Sequence, residues 1–362
     1  MKLENPNLQL TPTDARNGKI TWRSPSNIAI VKYWGKHGRQ LPRNPNISFT
    51  LNDAATTMSL AYKVKAKFDN KITLDFHFED PSKNEKFRQK MVAFMESVLD
   101  IFPFLTQIEM RIDSSNSFPH SAGIASSASS MSALALCLCS LENRLFGGNT
   151  EGSVSFLKKV SYIARLASGS ACRSVYPTLA VWGKMKQVKG STNDYAVAFE
   201  AHEVFKTYHN AILIASVEEK PVSSRMGHGL MEGNPFATPR YAQARERMKA
   251  LLPALQNGDV NTVGQIMEDE ALTLHALMMT SSPSFTLLKP NTLKMIEILR
   301  GYREATKIPV YFSLDAGPNL HVLYPHAVEN DVKILITNEL AQYCENGRVI
   351  YDTVGEGAKL LE

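Results

Sequence analysis

Apolar positions recur along the chain at two spacings, and each spacing dictates a kind of element. Residues 21–31 and 47–51 are near-continuous apolar runs and read as strands or buried segments. In residues 61–68 and 72–78 polar and apolar positions alternate on either side of Asp69-Asn70. That predicts a hairpin with one wet face, on which Lys63, Lys65 and Lys67 lie together as ordinary edge protection. Phe87, Met91, Phe94, Val98 and Phe102 keep a three-to-four spacing, so residues 83–101 are predicted to form an amphipathic helix stopped by Pro103. Ile108, Met110 and Ile112 alternate with Glu109, Arg111 and Asp113, which predicts a strand. A buried helix is predicted over 128–146, and another from Ser153 with Phe156, Leu157, Val160, Ile163 and Ala164 on one face.

The polar stretch at 189–194 (KGSTND) is the candidate boundary, giving domains 1–190 and 191–362. Beyond it the order is that of an α+β domain. A strand is predicted at 211–217, a helix capped by Thr238-Pro239, and further helices over 259–279 and from residue 291. Strands follow at 310–314 and 321–324, with a last long helix over 327–343.

Composition narrows the class. The 362 residues suit two domains, and 44% apolar residues against 21% charged suffice for a sizeable core. The net charge of +5 suits anionic small molecules but is too mild for a nucleic-acid surface. Four cysteines make no disulfide framework. Cys137 and Cys139 point to different helix faces, no Cys/His cluster has zinc spacing, and such thiols fit a reducing cytosol. The start MKLENPNLQLTPTD has no apolar core of a signal peptide, and the most apolar helix candidate, 131–141, is too short for a membrane span. A soluble, cytoplasmic protein is expected.

Five stretches carry candidate chemistry. In residues 119–128 (PHSAGIASSA) small residues lead from a strand into an apolar helix. The free N–H groups of the first turn and the helix dipole can hold phosphate oxygens there, and Ser126 and Ser127 can add donors or reach a metal. A serine-rich N-cap starting a core helix has the same pattern. Neither a Walker loop nor a G-x-G-x-x-G is present. In residues 27–36 (NIAIVKYWGK) Lys32 and Lys36 flank Tyr33 and Trp34, an anion clamp or a core tryptophan with outward lysines. Residues 168–174 (SGSACRS) bring hydroxyls and Arg173 together, as a carboxylate or phosphate grip or a plain helix-end turn. Residues 222–227 (VSSRMG) set hydroxyls beside Arg225. Residues 315–319 (DAGPN) form a turn whose Asp315 matters only if the fold brings it to the phosphate loop.

All five occur in the order in which they occur in one family. The chain resembles the GHMP kinase superfamily and, within it, the mevalonate diphosphate decarboxylases. The run N-I-A-x-x-K-Y-W-G-K at 27–36 is the most family-specific, and P-x-x-A/S-G-I/L-A-S-S-A at 119–128 marks the superfamily's phosphate loop. The runs at 168–174, 222–227 and 315–319 match the decarboxylases rather than the wider superfamily. The resemblance implies a two-domain GHMP-kinase-like fold. The N-terminal part would be a mixed sheet with helices, the C-terminal part a ferredoxin-like α/β sandwich supplying the catalytic Asp. It implies ATP-dependent decarboxylation of mevalonate 5-diphosphate to isopentenyl diphosphate by a homodimer, with neither nucleic acid nor membrane as partner.

Residue by residue, the resemblance implies that Asp315 sits at the substrate's 3-hydroxyl, Lys32 near the reacting phosphoryl oxygens, and Arg173 on the C1 carboxylate. Tyr33, Lys36, Ser168, Ser170, Ser224 and Arg225 would bind the rest of the substrate. Gly123, Ile124, Ala125, Ser126 and Ser127 would cradle the ATP phosphates, with Ser127 toward Mg²⁺ and Asn116 facing the nucleotide. There are departures from the family's pattern: Pro45-Asn46 stands where many members have serines, His120-Ser121 interrupts the usual P-T-A-A-G, and His228 replaces a usual Met. Relatives that act on mevalonate monophosphate, or that phosphorylate without decarboxylating, are the alternatives. A more distant one is an RNA-binding module of related topology, for which the aromatic-interleaved Arg/Gly patches are missing.

Overall fold

The computed structural model describes residues 3–11, 13–118, 124–218, 222 and 224–362; the side chains of Ser224 and Arg225 lie outside the description. In chain order the elements are β1 (Asn17–Val31), β2 (Lys36–His37), β3 (Leu41–Pro42), β4 (Asn46–Val64), β5 (Thr73–Phe78), α1 (Asn84–Glu96), β6 (Ile108–Asn116), α2 (Ser126–Phe146), α3 (Val154–Ala167), β7 (Leu179–Trp182) and β8 (Ala196–Ala198). There follow β9 (His209–Leu213), α4 (Ser224–Gly229), α5 (Ala237–Asn257), α6 (Val260–Met279), α7 (Pro290–Thr306), β10 (Tyr311–Leu314), β11 (Leu320–Tyr324), α8 (Glu329–Leu335), β12 (Val349–Thr353) and β13 (Lys359–Leu360).

A seven-stranded sheet runs in the order β13-β1-β4-β6-β5, with β7 on β4 and β8 on β7. Strand β1 is buried along most of its length because α2 packs on it and α6 covers part of it as well. Its polar residues are satisfied inside: Trp22 Nε1 donates to Ser140 Oγ at 3.0 Å and Ser24 Oγ to Ser132 Oγ at 2.8 Å. Pro25 has no N–H for the ladder, and the β1–β4 register shifts between Pro25 and Asn27. The second sheet has the order β10-β11-β9-β12, all antiparallel. It packs against α6 and α7, and a shared apolar core joins Ile28, Ile30 and Phe49 of the first sheet to Ile212, Met267 and Leu323 beyond it.

Four expectations need correction. The segments at 61–68 and 72–78 do not form a hairpin: β6 lies between β4 and β5, antiparallel to the first and parallel to the second. Alternation reveals a half-buried strand but not its partner. Lys65 is not on a wet face with Lys63 and Lys67; it is buried, donating to Asp69 Oδ1 at 2.6 Å and Lys71 O at 2.7 Å. The helix expected over 83–101 ends at Glu96 and continues as turns. The long helix expected over 327–343 is divided into α8, a π turn (Ile336–Leu340) and a 3₁₀ turn (Ala341–Tyr343), and the wide turn keeps both Ile336 and Leu340 in the core.

Candidate active site

The C-terminal end of β1 is where the two sheets meet. Lys32 ends its run inside the protein, only 2% exposed. Its ammonium curls back along the strand to donate to Ala29 O at 2.7 Å and Ser313 Oγ at 2.8 Å, and it meets Asp315 Oδ1 at 3.3 Å. Burial lowers the Lys32 pKa, against the opposing pull of Asp315. Asp315 keeps 24% of its side chain exposed, so one face of the pair remains open. The turn after β10 is tied down by Gly317 N–H donating to Asp315 O at 2.7 Å, and the His275 ring nitrogen lies 3.1 Å from the same oxygen.

Behind Lys32 stands a buried anchor. Its backbone N–H donates to Glu270 Oε2 at 2.9 Å, and Glu270 is gripped by both terminal nitrogens of Arg240 and by Arg247 at 2.8 Å. Burial acts to raise the Glu270 carboxyl pKa, but the two guanidiniums outweigh it and hold it below the ordinary value.

Arg173 ends a 3₁₀ turn (Gly169–Arg173) beside β4 and is 2% exposed. It donates to Ser48 Oγ at 2.9 Å and Asn27 Oδ1 at 3.1 Å, and also to Asn46 Oδ1. Among the described residues no carboxylate pairs with it. Burial lowers its pKa, and it feels Asp315 as Lys32 feels Arg173, so all three share one electrostatic neighbourhood. A buried guanidinium held only by neutral acceptors keeps its charge in reserve for an anion.

Tyr33 lines the next position. Its buried hydroxyl finds no hydrogen-bond partner among the described residues, and burial pushes its pKa up. The ring packs on Trp182 with centroids 4.7 Å apart, and a Cβ at Gly169 would come within 2.7 Å of it, so Ser168-Gly169-Ser170 needs its glycine to pass. Ser168 and Ser170 are half-buried beside it. His228, from α4, packs on Tyr33 at 4.4 Å and Trp34 at 4.7 Å, and its Nδ1 accepts the Gly35 N–H at 3.0 Å. Burial, with Lys36 adding to it, pushes the His228 pKa down to about 3, so it is a neutral acceptor. Lys36 Nζ donates to Gln40 Oε1 at 3.1 Å across the β2–β3 hairpin.

At the other end of the site, α2 begins without a side-chain cap and without an acidic residue in its first turn. Ala125 precedes it with φ 45° and ψ 40°, a left-handed conformation uncommon for a non-glycine residue. Ser126 is half-buried and Ser127 exposed, and neither hydroxyl is bonded among the described residues. Ser129, two positions on, is instead consumed in a Thr56–Ser129–Asn116 network, with Thr56 Oγ1 2.7 Å from Ser129 Oγ and 2.8 Å from Asn116 Oδ1. Unsatisfied first-turn N–H groups plus two free hydroxyls fit the phosphates of a nucleotide and its metal ion. Ser26 Oγ donates to Ile124 O at 2.6 Å, and Ser26 is three residues from Ala29, about 10 Å along β1. Gly123 and the rest of 119–122 lie outside the described residues, as do the side chains of Ser224 and Arg225.

Comparison with known proteins completes the picture. Residues 24–194 match the diphosphomevalonate decarboxylase-like N-terminal domain, and residues 210–356 the mevalonate 5-diphosphate decarboxylase C-terminal domain. The chain belongs to the mevalonate diphosphate decarboxylase family. It is 29% identical over 325 residues to the diphosphomevalonate decarboxylase of Debaryomyces hansenii, covering 86% of this chain and 80% of the relative. The solved structure of the mevalonate diphosphate decarboxylase from Enterococcus faecalis, described for mevalonate diphosphate mediated ATP binding, covers 96% of this chain and 100% of its own, with TM-score 0.78 and 26% identity. A complex of MDDEF with MVAPP, AMPPCP and magnesium covers the same shares, with TM-score 0.79 and 27% identity. The architecture is thus the GHMP-kinase-like one of this family.

Within the family frame, sequence reading found the chemical groups but missed most of what positions them. Asn46, Ser48, Ser313, Glu270, Arg240 and His275 come from four separate elements, β4, β10, α6 and α5, and carry no local motif. Asn27 stood in the β1 motif, yet its grip on Arg173 is visible only in three dimensions. His228 was legible as a departure, and its wedge between two aromatics explains it.

Proposed function

We propose that the chain catalyses the ATP-dependent decarboxylation of mevalonate 5-diphosphate to isopentenyl diphosphate, releasing ADP, phosphate and carbon dioxide, as a step of the mevalonate pathway. The observation that carries this reading is the Lys32–Asp315 contact of 3.3 Å, with Arg173 in the same electrostatic field and Ile124, just before the uncapped start of α2, bonded to Ser26 on the same strand β1.

In this reading the Asp315 carboxylate accepts a hydrogen bond from the 3-hydroxyl and takes its proton as the oxygen attacks the terminal phosphoryl group of ATP. Lys32, held by Ala29 and Ser313, donates to Asp315 and lies alongside the charge that builds on the transferred group. Arg173 fixes the C1 carboxylate until the 3-phosphate leaves and the C–C bond breaks, its electrons forming the alkene. Tyr33 spends its unpartnered hydroxyl on the substrate, and Lys36, Ser168, Ser170, Ser224 and Arg225 are assigned to the remainder, including the diphosphate. Ile124, Ala125, Ser126 and the backbone at Gly123 are assigned to the nucleotide phosphates, with Asn116 toward the nucleoside. Bound Mg²⁺ supplies neutralisation of phosphate charge, and Ser127 is the hydroxyl we assign to it. The division into 1–190, carrying the phosphate loop, and 191–362, supplying Asp315, belongs to the same proposal, as do a homodimer and a cytoplasmic location. Among the described residues no helix is long and apolar enough to cross a membrane.

The test is stoichiometric. Incubation with Mg²⁺-ATP and either mevalonate 5-diphosphate or the 5-monophosphate is followed for ADP and carbon dioxide. Equal amounts of both products, formed with the diphosphate preferred, are expected. ADP without carbon dioxide, or a preference for the monophosphate, would contradict the proposal.

A further inference from the structure

Three ligating side chains converge at one end of the central strands of the second sheet, away from the site above. His209 Nε2 lies 2.9 Å from His326 Nδ1 and 3.7 Å from Glu329 Oε2, and His326 Nδ1 lies 3.2 Å from the same carboxylate oxygen. A tetrahedral zinc ion with bonds of about 2.0–2.1 Å requires its ligand atoms to be roughly 3.3 Å apart. The three separations bracket that value. We propose that His209, His326 and Glu329 form a binding site for a zinc-class divalent ion, with a fourth, open position for water.

The surroundings orient all three groups. The His209 ring stacks on Tyr324 with centroids 5.3 Å apart and planes 7° apart, and on His326 at 5.2 Å and 15°. His326 opens the 3₁₀ turn (His326–Val328) that leads into α8, and Glu329 follows it by three residues, which sets the two on one face. Lys333 Nζ donates to Glu329 Oε1 at 2.6 Å, occupying one carboxylate oxygen and turning the other toward the imidazoles. Two imidazoles and one carboxylate suit Zn²⁺ and related transition ions, whereas Mg²⁺ prefers oxygen donors throughout.

The site is separate from the reaction centre. His209 pairs with Tyr324 at one end of the β9–β11 ladder, and Leu213 pairs with Leu320 at the other, next to the turn that carries Asp315. The two ends are about 13 Å apart. An ion there would join the first residue of β9 to the helical segment that follows β11, clamping one end of the second sheet. All four cysteines are buried and do not compete for it.

The test uses the full chain, stripped with a chelator and held in excess Mg²⁺ without nucleotide. Zn²⁺ titrated into it should bind saturably at one equivalent and raise the unfolding temperature, and Co²⁺ should give the visible absorption of a four-coordinate site. His326→Ala and Glu329→Gln should each weaken binding roughly tenfold or more and abolish the rise in unfolding temperature. Metal-free variants should unfold at the wild-type temperature and decarboxylate at the wild-type rate, which excludes general misfolding. Equal Zn²⁺ affinity in wild type and both variants, or no Zn²⁺ uptake by wild type, would overturn the assignment.

Discussion

Arg173 carries its charge into the interior, and among the described residues only Asn27, Asn46 and Ser48 hold it. A positive group so placed is costly unless an anion arrives to use it. Arg173→Gln should therefore lower kcat for mevalonate 5-diphosphate by about 10²–10³-fold, the range for loss of a preorganised charged donor, while KM for ATP stays near wild type. Unchanged kinetics would remove Arg173 from the site. Tyr33 makes the converse case, because its hydroxyl bonds nothing in the described protein. Tyr33→Phe should leave the urea midpoint unchanged within about 0.5 kcal/mol and raise KM for the substrate. A clear loss of stability with unchanged KM would mean that the hydroxyl serves the fold instead. At this scale the sequence was informative: Lys32, Tyr33, Arg173 and Asp315 are distinctive residues in short runs. Their neutral holders are asparagines and serines of no distinction, scattered over β1, β4 and β10, and only folding selects them.

Among elements, Glu270 sets the geometry. It joins α6 to α5 through Arg240 and to the end of β1 through the Lys32 N–H. Removing its charge leaves two guanidiniums facing a neutral group in the interior. Glu270→Gln should cost about 3–5 kcal/mol in urea unfolding, and lower kcat because the end of β1 loses its fixed point. A stability change below about 1 kcal/mol would show that water replaces the lost ion pair. Elements were legible where periodicity alone decides them: α2, α3, α6 and β6 are where the spacing put them. The failures arose where pairing decides. Residues 61–64 continue a strand that begins at Asn46, and the chain passes through α1 before β6 returns to separate β4 from β5. Local alternation says nothing of a strand supplied thirty residues later. Lys65 was misread for the same reason, since Asp69 and Lys71 fold back over it.

For the whole molecule, two neutral histidines, His321 buried and His228 half-buried, link folding to pH. Burial pushes His228 down to about 3 and His321 down to about 4, from an ordinary value of 6.5. Below pH 6.5 the unfolded chain therefore binds protons that the native one refuses, so stability is full above that pH and falls as pH drops toward 4. Urea midpoints at pH 7, 5.5 and 4.5 should decline in that order, and His321→Asn, which keeps a polar group beside Asn210, should make the decline shallower. An identical acid limb in the variant would exclude His321 as a contributor. The same burial is what brings distant parts of the chain together, since β10 and β11 reach β1 only because the two sheets share a core.

That convergence, a carboxylate from residue 315 beside a lysine from residue 32, is tested most directly by Asp315→Asn. The amide keeps the shape, and its oxygen can still accept from Lys32, but the negative charge and the capacity to take a proton are lost. Turnover with mevalonate 5-diphosphate, measured beside equilibrium binding of a fluorescent ATP analogue, should fall roughly 10²–10⁴-fold while nucleotide affinity changes little. A loss of only a few-fold in turnover would contradict the role given to Asp315.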